Sequence, residues 1–508
     1  MRASGHTEVT MPGSWRSRLL ILLALAAAAL PSATAPAMAS HAPTVHGAVW
    51  AYEAAHPGQP VPVIVQTSEG ADAGALVTAA GGDVRGDLSI IHAVAADVPA
   101  DRLASLSAAP GLRWISLDGP VTSTSRPDGR GSGGDDTPDT GATLPPSVYP
   151  QEINADRVVA SGDDGSGIAV AVVDTGIVKS TDFGRPSRVV ATFGGEGDGY
   201  GHGSHVAGLI AGDGTNSDGR YVGVAPGANL VNVKVGDDKG AATISDVING
   251  LAFVAANQDR LNIRVVNLSL GVDTPQSYTT DPLDAAVELL TFRGILVVVA
   301  AGNAGTASDA VSYAPANDPF VLTVGAVDDR GTSATSDDSV PSWSSRGTTQ
   351  DGFAKPEIYA PGRHLVSVLS PKSVLAVQQP ESIVGKHYLS LSGTSMAAGV
   401  TSGAAALVFA AHSDWTPGQV KTALVSSARP VPGASYARLA RVDAANAQSA
   451  PDDQTSTIKP NYLLLEAAGV DNPETIDWGS IRWGSIRWGS IRWGSIRWGS
   501  IRWGFVPD

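Results

Sequence analysis

Apolar residues recur in two different rhythms along this chain, and the changes between them divide it into segments. Val61–Thr67, Ile90–Val98 and Trp114–Leu117 read as strands, with Ala73–Ala80 and Ala100–Ala108 as helices between them. That alternation over so short a span predicts a small α+β domain at 61–121, one face of its sheet covered by both helices. Residues 122–143 are rich in Gly, Asp, Ser, Thr and Pro without apolar periodicity, and read as a flexible, protease-accessible linker.

From about Tyr149 to Ala447 the pattern changes. Ile168–Val173, Asn229–Val235, Arg264–Leu270, Ile295–Ala300 and Val321–Val327 are nearly continuous apolar strands, separated by helical patterns at Ser204–Ala211, Ser245–Asn257, Pro282–Phe292 and Ser395–His412. Strands apolar on both faces must be covered on both faces, so residues 144–450 are expected to form an α/β domain, a parallel β-sheet flanked by helices on both sides. Loops at the carboxyl ends of such strands make the site. Asp174 and the segment Ser269-Leu270-Gly271 both fall there.

After Pro451 lies a C-terminal extension, 451–508, holding five tandem copies of Trp-Gly-Ser-Ile-Arg from Trp478 to Arg502. The repeat period is odd, so in an extended strand successive tryptophans alternate faces, and a glycine in every unit disfavours a helix. Two readings stay open: a flexible repeat with no fixed role, or an adhesive segment that holds the protein on a cell-surface polymer.

Composition narrows the setting. The chain has 508 residues, 43% of them hydrophobic, enough for a large domain plus smaller modules. Its net charge of −15 disfavours nucleic acid and anionic membranes as partners. Arg16 and Arg18 precede the apolar run Leu19–Leu30 and the small-residue segment Ala37-Met38-Ala39, the pattern of a secretory signal peptide at 1–39. A secreted, extracellular protein is expected. There is no cysteine, which excludes a thiol nucleophile or a thiolate metal site.

Three segments carry the candidate chemistry. Ser392-Gly393-Thr394-Ser395-Met396-Ala397 sets a serine in a small-residue turn that opens an alanine-rich helix, where backbone amides face a developing anion. Val172-Val173-Asp174-Thr175-Gly176 ends an apolar strand in a carboxylate, and Gly201-His202-Gly203-Ser204-His205 opens another helix with histidine. A serine hydroxyl is a poor nucleophile until a base takes its proton, so His202 fits the base, Ser395 the nucleophile, and Asp174 the group that orients the imidazole. The chain order Asp, His, Ser is that of subtilisin. Through these motifs, over about Ile153 to Ala447, the chain resembles the subtilisin-like serine peptidases, the subtilases of family S8.

That resemblance implies more. Asn303, in Val298-Val299-Ala300-Ala301-Gly302-Asn303, would donate to the oxyanion beside the Ser395 amide, and Ser269, Leu270 and Gly271 would pair with an extended substrate, with Lys239-Gly240-Ala241 as the opposite edge. Residues 61–121 would be an inhibitory propeptide, the protein a secreted zymogen, and protein or peptide chains its substrates. No cofactor is required; calcium is an option at Asp182 and the oxygen-rich loop Asp213–Asp218, a composition that solvated turns share. Where subtilases usually carry Ser-Pro-His after the serine motif, this chain has Ala398-Gly399-Val400, which loosens the helix start and keeps a narrow processing peptidase or peptide ligase in view. A non-catalytic surface-binding protein on a peptidase scaffold is the reading from another class.

Two other chemistries do not fit the sequence. Asp139-Thr140-Gly141 repeats the Asp-Thr-Gly of Asp174, as an aspartic protease would, but without the apolar strand that buries a paired carboxylate. His202 and His205 lack the intervening Glu of a zinc peptidase.

Overall fold

Strand β1 (Val61–Thr67) lies at the centre of an antiparallel sheet of order β2-β3-β1-β4, with β2 at Asp83–Leu88, β3 at Ala93–Val98 and β4 at Leu112–Leu117. The computed structural model describes residues 45–68, 70–123 and 146–467, all within one compact unit; the N-terminal apolar run, residues 124–145 and the tandem repeats lie outside the described residues. Val61, Val63 and Val65 point to one face of β1, where they pack with Val77 of the helix Ala73–Ala79 and Leu103 and Leu106 of Leu103–Ser107. Both helices cover that face, as the alternation of patterns implies. Ile64, Leu88, Ala93 and Ala95 belong to the other face, and they are buried in a cluster shared with the larger domain.

Two elements escape the periodicity. β2, Asp-Val-Arg-Gly-Asp-Leu, is a mostly exposed edge strand held by its pairing with β3, so it shows no apolar alternation. Ile90 and Ile91 read as strand yet form the 3-10 turn Ser89–Ile91, because His92 adopts a left-handed φ of 54° and the strand restarts only at Ala93. A helix at Gly47–Ala55 precedes the sheet.

The larger sheet has nine strands in the order Arg429–Val431, Ala434–Leu439, Ile358–Pro361, β13, β12, β10, β6, β8, β7. Here β6 is Ala169–Asp174, β7 Val189–Phe193, β8 Asn229–Lys234, β10 Ile263–Leu268, β12 Leu296–Ala300 and β13 Leu322–Val327. Apart from the antiparallel pair at 429–439, neighbours run parallel. Every residue of β6, β12 and β13 is buried, which explains their unbroken apolar sequences. Helices cover one face with Ile244–Leu261 and Pro282–Phe292, the other with His202–Ala211 and Thr394–Ala411. Among the described residues only Thr394–Ala411 is long and apolar enough to cross a membrane, and 89% of it is buried inside the domain. It is a core helix.

Helix starts follow local chemistry. Thr243 and Asp246 form a reciprocal capping box on Ile244–Leu261, while Asp281 caps Pro282–Phe292 by accepting from Leu283 N at 2.7 Å, with Pro282 in the first turn.

One buried ion cluster ties three elements together. Glu357, entering the strand Ile358–Pro361, accepts from Lys355 Nζ at 2.7 Å, from Lys421 Nζ at 2.8 Å and, through its other oxygen, from Thr323 N of β13 at 3.0 Å. Burial pushes the Glu357 carboxyl up, but the two ammonium groups outweigh it and hold it below the usual carboxylate range. Replacing Glu357 by Leu would leave two lysines buried without their counter-charge. Calorimetry on the Glu357→Leu chain should show a loss of about 3–5 kcal/mol, the scale for breaking a buried ion pair from one side.

Candidate active site

Three of the expected side chains converge at the carboxyl end of the nine-stranded sheet. Asp174 is the last residue of β6, His202 the first of the helix His202–Ala211, and both are buried. His202 Nδ1 lies 2.8 Å from Asp174 Oδ1 and 2.9 Å from Oδ2. With Nδ1 donating to the carboxylate, Nε2 is left able to accept a proton; it is buried and has no hydrogen-bond partner. Glycine is what lets the two elements meet. A Cβ on Gly203 would collide with the Gly176 carbonyl and approach Asp174 Cβ at 3.0 Å, so the residue after His202 can bear no side chain.

Ser395 occupies the first turn of Thr394–Ala411, a helix packed directly against the histidine helix. Its Oγ donates to the Ser269 carbonyl at 3.3 Å, and Ser269 Oγ returns a hydrogen bond to the Ser395 carbonyl at 3.0 Å. The Ser395 to His202 hydrogen bond is therefore not closed here, as is common before substrate arrives. Asn303 follows β12. Its Oδ1 accepts from Thr394 N at 3.1 Å and Thr394 Oγ1 at 3.2 Å, so the amide is anchored to the residue before Ser395. Gly399 lies within an uninterrupted helix facing Val206 and Leu209, and a Cβ there would make only ordinary contacts, 3.4–3.5 Å, with the histidine helix.

Asp198 is a residue that the motif reading missed. It is 6% exposed and accepts from Gly201 N at 2.7 Å, Ser204 N at 2.8 Å, Ser204 Oγ at 2.7 Å and Thr175 Oγ1 at 2.8 Å. It thereby caps the histidine helix and ties that helix to the residue after Asp174. It lies outside the N-cap position, which Gly201 holds, so the ordinary capping signal does not mark it. Burial pulls the imidazole of His202 down, but the charge and hydrogen bond of Asp174, with Asp198 behind it, outweigh burial and raise its pKa above the ordinary value.

A strand of this same chain fills the groove beside these groups. β5 (Pro120–Ser123) runs antiparallel between β11 (Leu270–Val272) and β9 (Ala242–Thr243), pairing Ser123 with Leu270, Thr122 with Gly271, and Val121 with both Val272 and Ala242. Thr122 and Ser123 are thus strand, where the composition suggested linker. Leu270 and Gly271 lie on the expected edge, with Ser269 behind it against Ser395. The opposite edge is Ala242–Thr243 rather than Lys239-Gly240-Ala241. Residues 237–241 close a tight turn, with Asp237 Oδ1 accepting from Lys239 N and Ala241 N, which takes their amides out of pairing.

The calcium option has a poor donor set as arranged. Asp182 Oδ1 accepts from Asn216 N, Asp213 Oδ1 from Thr215 N and Oγ1, and the Arg188 guanidinium bonds the Ala211 and Ala228 carbonyls. Asp182 Oδ2 alone is buried without a partner, against the six to eight oxygens that calcium takes. Among the described residues no three acidic or histidine side chains converge on a metal position. His205, the other candidate metal ligand, lies within hydrogen-bond reach of the Leu365 and Leu389 carbonyls through Nε2, 3.0 Å from each.

The Subtilase family matches residues 165–454. The chain is 41% identical over 282 residues to serine protease AprX of Bacillus subtilis (strain 168), covering 53% of this chain and 64% of AprX. Subtilisin E of the same organism is 36% identical, covering 54% and 64%, and subtilisin Savinase of Lederbergia lenta 37% identical, covering 53% and 85%. The chain thus spans less than two thirds of AprX and of subtilisin E. Among solved structures, fervidolysin from Fervidobacterium pennivorans, a keratinolytic enzyme related to subtilisin, superposes with a TM-score of 0.59 at 23% identity, over 78% of this chain and 62% of that one; this likeness concerns the fold alone.

The electrostatics give a sign-definite expectation for Asp198→Asn. Only neutral His202 can take a proton, so the reactivity of Ser395 toward an activated ester should rise as pH passes through a pKa above 6.5. Removing the Asp198 charge should move that acid limb to lower pH, as read by stopped-flow release of nitrophenol. A uniform loss of rate with no shift would leave Asp198 a helix cap only.

Proposed function

Because the chain belongs to the subtilase family, we propose that it is a serine endopeptidase that cuts protein or peptide chains through an acyl-enzyme and is made as a secreted zymogen. The observation that carries this reading is β5, an extended main chain held antiparallel on both sides in the groove beside Ser395 and His202. A groove that binds backbone in this way takes extended peptides of many sequences.

In the proposed mechanism Ser395 Oγ attacks the scissile carbonyl while His202 Nε2 takes its proton. Asp174, bonded to Nδ1, fixes the tautomer and stabilises the imidazolium. The oxyanion is met by Asn303 Nδ2 and the Ser395 amide at the helix start. His202 then protonates the leaving amine, and a water activated by the same imidazole releases the acyl group. None of these steps calls for a metal or other cofactor, and the oxygens around Asp182 are a poor donor set for calcium.

Residues 61–121 act, in this proposal, as the inhibitory propeptide, with β5 as the strand left in the groove on the acyl side of the first cut. Export is supported by the charged and apolar pattern of residues 1–39. The alternative of a surface-binding protein rests on the Trp-Gly-Ser-Ile-Arg repeats, which lie outside the described residues. The ligase reading rests on Gly399, whose helix is continuous.

Ser395→Ala should abolish turnover of casein and of small peptides while the fold persists. Asn303→Leu should lower kcat by about 10²–10³ with little change in KM, the scale known for the equivalent donor in a subtilisin. Undiminished cleavage by Ser395→Ala would refute the assignment.

The position of the first cut is a separate expectation. Because Ser123 pairs with Leu270, next to Ser269 and Ser395, N-terminal sequencing of the processed chain should place its new end at Thr124 or Ser125, and Ser395→Ala should stay uncut. A first cut far into 126–143, or normal processing of Ser395→Ala by itself, would contradict self-processing from this geometry.

A further inference from the structure

The family match ends at residue 454, yet the chain beyond it is built into the domain. Asp453 starts this segment by accepting from Thr455 N at 2.9 Å and from Thr416 Oγ1 at 2.9 Å, which fastens it to the start of the helix Pro417–Ser427. Asn461 is fully buried. Its N–H donates to the buried Glu288 carboxylate at 2.8 Å, its side-chain amide donates to the Asp281 carbonyl at 3.0 Å and to the Tyr278 carbonyl, and its Oδ1 accepts from Leu463 N at 2.9 Å. Tyr462 N bonds the Thr279 carbonyl at 2.8 Å, and Tyr278 Oη the Lys459 carbonyl at 2.9 Å. A loose tail has no reason to satisfy so many buried groups; each left unpaired in the interior would be costly.

The segment ends in the helix Tyr462–Ala467, and the position of that helix is informative. It packs against the helix Pro282–Phe292 on one side and against the 3-10 turn Ser89–Ile91 of the N-terminal domain on the other. Leu463, 7% exposed, and Leu464 belong to one apolar cluster with Leu88, Ile90 and Ile91. The N-terminal domain therefore rests on more than the groove. Asp118 reaches the start of the helix Ile244–Leu261, accepting from Ser245 N at 2.9 Å and Ser245 Oγ at 2.8 Å, and the C-terminal segment supports the far edge of the same face.

We propose that residues 455–464 are a docking strap, an interaction surface outside the common family domain whose partner is this chain's own N-terminal domain, residues 45–123. The inference rests on the propeptide reading above and deepens it. β5 and Asp118 hold the domain at the groove side, and the strap holds it at the turn Ser89–Ile91, so the C-terminal extension sets how firmly the N-terminal domain stays seated. The chemistry that recognises the partner is apolar, a pair of leucines against a pair of isoleucines, positioned by the Asn461 anchor.

Hydrogen exchange followed by mass spectrometry on the full-length Ser395→Ala chain tests this without any catalytic step. Leu463→Asp in that background should speed exchange in residues 83–98 by about tenfold or more, the scale for loss of a well-buried leucine contact, while β6 and β12 keep their protection. Leu463→Ala combined with Leu464→Ala should act in the same direction and guards against misfolding around the charged substitution. Removing residues 468–508 alone should leave exchange in 83–98 unchanged. Unchanged exchange in 83–98 when 455–467 has itself become labile would overturn the proposal, as would equal loss of protection on removing 468–508 alone. Because both variants lack Ser395, failure of the peptidase reading appears separately, as absent turnover in the parent chain.

Discussion

The buried contact between Asp174 and His202 is the constraint around which the rest of the site is arranged. An imidazole deep in a protein is ordinarily driven toward its neutral form, and it can accept and hold a proton only if a fixed counter-charge is within reach. The carboxylate supplies that charge at 2.8–2.9 Å, but only because β6 and the histidine helix come together closely enough to forbid a side chain at Gly203. Asp198 then pins the start of that helix from below. Gly203 is thus a steric requirement of the Asp174–His202 contact, and Gly403 of the serine helix permits similarly close packing, since a Cβ there would lie 2.6 Å from Val224 Cβ.

Around that pair the parallel sheet performs a placing role. β6 ends in Asp174, β10 leads through Ser269 to the edge strand β11, and β12 leads to Asn303, so three adjacent strands bring these residues to one rim. The serine helix crosses beneath, presenting Ser395 with its amide at the helix start. Seating β5 on the β11 edge couples the N-terminal domain to the same rim, and the strap at 455–464 joins the opposite end of the chain to that assembly.

Much of this was legible in the sequence because chemistry and periodicity coincide there. Five strands of the nine-stranded sheet read as apolar runs within a residue or two of their observed bounds, while the short buried strand Ile358–Pro361, the half-exposed β7 and the strands at 429–439 went unread. Pro282–Phe292 is as read, since proline and a capping aspartate fix its start. The misses have physical causes. β2 is a charged edge strand with nothing to bury on one side. Ile90 and Ile91 are apolar because they meet the larger domain from a turn, a tertiary reason that no local period reports. The edge opposite β11 was displaced by the Asp237 turn, whose hydrogen bonds are made by a side chain rather than by strand pairing. Asp198 lies outside the N-cap position of its helix, and its link to Thr175 depends on two segments brought together only by the fold. The strap was invisible for the same reason, since Asn461 and Leu463 gain meaning only against Glu288 and Ile91.

The central claim is that these groups form one catalytic unit with Ser395 as its nucleophile. Its most direct measurement is treatment of the processed chain, freed of its N-terminal domain, with a fluorophosphonate, followed by intact-mass and peptide mapping. The account predicts a single adduct, on Ser395, that forms at neutral pH and is strongly slowed in His202→Ala. A folded chain that takes no adduct, or takes it on another residue, would contradict it.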